Sequence, residues 1–87
     1  MDALIYWLRS VNNELTQEQL IKNTRLDFYD SKIMRIPKEL SLLTNLRTLI
    51  ITNNQVTKIP KELSLLVNIE SLFLHDNKII KIPKELS

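Results

Sequence analysis

His75 is the chain's one histidine, and the chain has no cysteine. A Cys/His nucleophile pair and a thiolate metal centre are therefore excluded. A hydrolytic set can be named from Ser71, His75 and Asp76, because a hydroxyl, an imidazole base and a carboxylate are the groups a proton relay uses. Their local sequence implies surface positions and no pocket, so nothing shields such chemistry from water. Asp27, Asp30, Glu70 and Asp76 could approach one another from neighbouring segments, yet their spacing matches neither a calcium loop nor a zinc site. The chain contains no glycine, which removes the usual phosphate-cradling loop. The reading is a non-enzyme, with no catalytic residue, no metal and no cofactor.

The elements that would have to position these residues repeat. Ile36-Pro37-Lys38-Glu39-Leu40 returns as Ile59-Pro60-Lys61-Glu62-Leu63 and as Ile82-Pro83-Lys84-Glu85-Leu86, each followed by a serine at 41, 64 or 87. A fixed period of this length marks a solenoid of stacked units, in which repeated residues hold the stack and varied residues carry any activity. Leu49 and Ile51, and likewise Leu72 and Leu74, alternate with other side chains as a short strand with one buried face requires. Asn54 and Asn77 stand where the chain must leave that strand. A buried amide donates and accepts at once, so stacked copies can satisfy turn backbone that would otherwise be orphaned. Pro37, Pro60 and Pro83 suit a return arm without sheet pairing. The Lys-Glu-Leu-Ser-Leu-Leu stretch after the second of them leaves room for a turn or so of α or 3₁₀ helix.

Aligned, Leu46 to Pro60 and Ile69 to Pro83 share the skeleton L-x-x-L-x-L-x-x-N-x-L-x-x-I-P-x-x-L-x-x-L, with Ile or Val admitted at Leu positions. This resembles the leucine-rich repeat family, in the IPxxL-containing form of Ras-group and related proteins. The resemblance covers residues 23–87. Residues 23–45 form a degenerate first unit, with Asn23 for the leading Leu and Ser31 for the turn Asn. Residues 46–68 form a second unit and 69–87 an incomplete third. The fold class implied is α/β: a short right-handed solenoid with a parallel sheet on its concave side.

Residues 1–22 do not repeat. Leu4, Trp7, Leu8 and Val11 lie on one helical stripe, Asn12-Asn13 interrupts it, and Thr16 with Gln19 forms a capping box for a second short helix. We read this segment as a helical cap on the open end of the repeat core. The alternative is a helix for a membrane surface or a partner, because Tyr6 and Trp7 suit interfaces.

The resemblance implies non-enzymatic protein binding or scaffolding through the concave face. Three ladders cross it: Arg25, Thr48, Ser71; Asp27, Ile50, Phe73; and Tyr29, Thr52, His75. Ile50 and Phe73 are large apolar groups at positions expected to be solvated, which is the composition of a binding patch with a polar rim. The expected partner is a protein or peptide. The plain alternative is cross-strand packing of scattered surface hydrophobes.

At the other end Leu72, Leu74, Ile79, Ile82 and Leu86 have no following repeat, so self-association into a dimer is expected there. That motive also supports a rival class, a self-assembling structural component. Short repeat chains rich in Ile, Asn and Lys resemble those encoded by large DNA viruses and protists, so the rival includes a virion component. Ladders of Arg35, Lys58, Lys81 and of Lys38, Lys61, Lys84 run beside Glu39, Glu62 and Glu85. They read as a solvated face, and nucleic-acid binding is the weakest of the three readings because no aromatic residues interleave them.

Composition sets the outer bounds. The chain has 87 residues, 44% hydrophobic and 25% charged, which fits one small folded domain. Twelve basic and ten acidic residues give +2, too balanced to argue alone for nucleic acid or an anionic membrane. No apolar run approaches the roughly 18 residues of a membrane span, and the first residues lack the pattern of a signal peptide. The lack of cysteine points to an intracellular, cytoplasmic setting, or a virion if the rival class holds.

Overall fold

The computed structural model describes residues 1–86, so Ser87, the last of the recurring serines, lies outside the described residues. Two helices, α1 (Asp2–Ser10) and α2 (Gln17–Lys22), precede three strands: β1 (Arg25–Asp27), β2 (Thr48–Ile50) and β3 (Ser71–Phe73). A short 3₁₀ helix follows each strand, η1 (Lys38–Leu42), η2 (Lys61–Leu65) and η3 (Lys84–Leu86). The strands form one parallel sheet in the order β1-β2-β3. Register is set by the repeat itself: Leu26 pairs with Leu49 and Leu49 with Leu72, each step one period long.

Each coil leaves its strand the same way, and the first unit adds a second left-handed residue, Lys32 at φ 58°. Asp30, Asn53 and Asp76 turn the chain out of the strand with φ of 50, 61 and 59°. A chain without glycine uses the residues whose short polar side chains best tolerate that left-handed conformation. The return arm then passes through proline into a 3₁₀ turn, where the Leu40 N–H donates to Pro37 O at 3.2 Å and Leu63 N–H repeats this to Pro60 O. Five residues suffice to bring the arm back, so no longer helix forms.

The asparagines bind one coil to the one before it. Asn54 Oδ1 accepts from the Ser31 and Ile33 N–H groups at 3.0 and 2.9 Å, while its Nδ2 donates to Phe28 O and Ile51 O, both at 2.8 Å. Asn77 repeats the pattern on the second coil, accepting from Val56 N–H at 3.0 Å and donating to Ile51 O and Leu74 O at 2.9 Å. The amide thus serves the turn of the preceding unit as well as its own. The first unit has no earlier turn to serve, which explains why Ser31 suffices there.

Leu26, Phe28, Ile33, Ile36, Leu49, Ile51, Val56 and Ile59 are buried in one continuous core with Leu4, Leu8 and Leu20 of the helices. The helices close the first rung. Trp7 lies edge-on to Phe28 with ring centroids 5.3 Å apart, and its Nε1–H donates to Arg35 O at 3.1 Å. Trp7 is therefore spent on packing, although Tyr6 beside it is exposed. α1 stops at Ser10, and Asn12 turns the chain at φ 62°. The capping box of α2 is complete: Thr16 Oγ1 accepts from Gln19 N–H at 3.1 Å, and Gln19 Oε1 accepts from Thr16 N–H at 2.9 Å. No helix among the described residues is long and apolar enough to cross a membrane.

Candidate functional site

The alternation of strand side chains sends Leu26, Leu49 and Leu72 to the core side and the residues between them to the other face. Pairing aligns Arg25, Thr48 and Ser71 in one row and Asp27, Ile50 and Phe73 in the next. Beyond the strands, Asp30 N–H donates to Thr52 O at 3.1 Å and Asn53 N–H to His75 O at 3.2 Å, which continues the ladder past Tyr29, Thr52 and His75.

The rows differ in what they present. Phe73 is 42% exposed and Tyr29 59%, while Ile50 between their strands is half-buried. Two ion pairs lie on the same coils. Arg25 Nη2 lies 3.5 Å from Asp27 Oδ2, and Arg47 Nη1 lies 2.8 Å from Glu70 Oε2 on adjacent coils. Asp27 Oδ1 also accepts from Tyr29 N–H at 3.0 Å, which fixes the backbone that carries the tyrosine. Thr52 departs from expectation. It is only 7% exposed and adds little to the surface. It sits in the middle coil, with a neighbouring coil on either side, whereas its counterparts Tyr29 and His75 on the outer coils are exposed.

Ser71, His75 and Asp76 share no hydrogen bond or ion pair among the described residues, so a proton relay is not assembled. No group of three or more His, Asp or Glu among the described residues is arranged to hold a metal ion.

The far end of the stack is less bare than the sequence suggests. Leu72 and Ile82 are exposed, but Leu74, Ile79 and Leu86 pack against the buried core and are only partly accessible. Their counterparts one unit earlier, Ile51, Val56 and Leu63, are buried, and at the last rung these three keep part of that cover while Leu72 and Ile82 keep less. Sequence reasoning also missed a second asparagine ladder. Asn45 Nδ2 donates to Ile21 O at 3.0 Å and Asn68 Nδ2 to Thr44 O at 2.8 Å, tying the first coil to α2 and the second coil to the first. Its signal was present, one asparagine before Leu46 and one before Ile69, a period apart.

A family described as leucine rich repeats, in two copies, matches residues 44–87, half of the chain. Among curated proteins, no relative matches it. The repeat register, the parallel sheet and the family match agree: the chain belongs to the leucine-rich repeat family, whose repeats generally serve as non-enzymatic protein-interaction modules.

Proposed function

We propose that this chain is a binding module that holds an extended segment of a partner protein across its concave sheet face. The observation that carries the reading is Phe73, a large ring left substantially open and paired in register with Ile50. A ring in that position loses unfavourable hydration when a partner side chain covers it, worth about 25 cal/mol per Å² of apolar area. Arg25, Asp27, Tyr29, Thr48, Ser71 and His75 supply the polar and aromatic rim, with Thr52 a supporting residue beneath it.

Size decides the class of ligand. Three strands about 4.8 Å apart make a face roughly 10–15 Å across. A standard protein interface takes about 800 Å² from each side. One chain offers a fraction of that, which suits a peptide segment or a weak contact. Selection from a displayed peptide library, followed by measurement of the selected peptides against Phe73→Ala, tests the reading. Binding should fall at least about tenfold, as for a central aromatic anchor. Equal binding to both proteins would overturn it.

A second reading, self-association through the β3 edge, rests on a different observation: Leu72 and Ile82 lie open where Leu49 and Ile59, one unit earlier, are buried. A self-assembling structural role belongs with this reading. Light scattering across a dilution series separates the two, because dimerisation through this edge should be weakened by Ile82→Lys and left intact by Phe73→Ala.

A further inference from the structure

Between the return arms of the second and third units lies an open groove of about 360 Å³ lined by Lys58, Ile59, Lys61, Lys81, Pro83 and Glu85. None of these residues belongs to the sheet, so the groove is separate from the concave face. Its floor is apolar: Ile59 is buried and Pro83 half-buried. Its rim is cationic, with three lysines against one glutamate. The backbones of Lys58 and Lys81 pair in parallel, which sets two ammonium-bearing residues on adjacent rungs. Like charges opposite one another on neighbouring strands repel. Lys58, Lys61 and Lys81 form no ion pair among the described residues. An anion between them would relieve that repulsion.

The floor and the rim together select among anions. A phosphodiester chain brings no aliphatic group for Ile59 and Pro83, and Glu85 interrupts the row of charge it would follow. A peptide with one aliphatic side chain between carboxylates satisfies both. We propose that this groove is a second docking site, which seats an acidic peptide segment with its aliphatic residue on Ile59 and Pro83 and its flanking carboxylates on Lys58, Lys61 and Lys81. Arg35 and Lys38, one unit earlier, extend the cationic row for a longer segment.

The test is a titration of the isotope-labelled chain, read by amide chemical shifts, with a short capped peptide of Asp and Glu around a central Leu. The expected result is shifts at the amides of Lys58, Lys61, Lys81 and Glu85. Replacing the peptide's Leu by Ala should weaken binding about tenfold, the cost of leaving that side chain in water. Raising salt from about 50 to about 200 mM should weaken it several-fold, as for partly exposed charges. The double variant Lys58→Gln/Lys81→Gln changes exposed side chains only and should lose most of the binding while keeping a dispersed spectrum. Absence of shifts, shifts centred on Phe73 instead, or equal affinity for the Leu and Ala peptides would overturn the proposal. So would an oligouridylate that shifts the same amides more tightly than the peptide.

Discussion

The first and last rungs of the stack carry the same leucine in the same register, yet Leu26 is 2% exposed and Leu72 is 36% exposed. Ile36 and Ile82 diverge in the same way, 3% against 46%. The residues are equivalent, and the difference lies in what covers them. Leu4, Leu8, Leu20 and Trp7 close the first rung, whereas among the described residues no element lies beyond the last. In a linear stack, a side chain's contribution follows its place in the order of units as much as its type.

That contrast predicts unequal costs for equal substitutions. Leu26→Ala should destabilise by about 3 kcal/mol, the usual cost of a cavity in a closed core, and Leu72→Ala by about 1 kcal/mol, because its site is already open to water. Chemical denaturation of both variants measures the gap. Equal losses would break the comparison.

The asparagines should show a smaller contrast of the same kind. Asn54 is buried and satisfies groups on two coils, so Asn54→Ala strands several of them and should cost about 2–3 kcal/mol. Asn77 makes similar bonds but is half-exposed, and water can replace them. Asn77→Ala should cost about 1 kcal/mol on the same scale.

At the capped end, Trp7→Phe removes the bond to Arg35 O and keeps most of the ring. About 1 kcal/mol should be lost, seen as a lower thermal midpoint. The smallest effect belongs to Arg47→Ala. Its partner Glu70 is exposed, as Arg47 is, so stability should change by less than about 0.5 kcal/mol.

How much of this was legible beforehand follows from what repetition encodes. The alternation at Leu49 and Ile51 announced the strands, and the recurrence of Ile-Pro-Lys-Glu-Leu set the register before any pairing was seen. Thr16 with Gln19 announced the cap. The direction in which Asn54 serves its neighbour was not legible, because a hydrogen bond between coils leaves no trace in a single unit. The burial of Thr52 was hidden for a related reason: alternation assigns it to the open face with its exposed counterparts Tyr29 and His75, and only its place between two coils separates it from them. Leu74, Ile79 and Leu86 were expected to lie as open as Leu72, since nothing in the residue names shows how much cover each position draws from its own coil and how much from the next. The groove at Lys58 and Lys81 was visible only as a charge ladder, because its apolar floor depends on how two return arms meet.

Amide hydrogen exchange at three equivalent positions tests the dependence of each rung on its neighbour most directly. Phe28 N–H donates to Ile50 O and Ile51 N–H to Phe73 O, both at 2.8 Å, while Leu74 N–H makes no hydrogen bond among the described residues. In dilute solution Phe28 and Ile51 should both exchange at least about a hundredfold more slowly than Leu74, as expected when one amide exchanges without opening and the others need it. Leu74 exchanging as slowly as Ile51, at every protein concentration, would contradict the account.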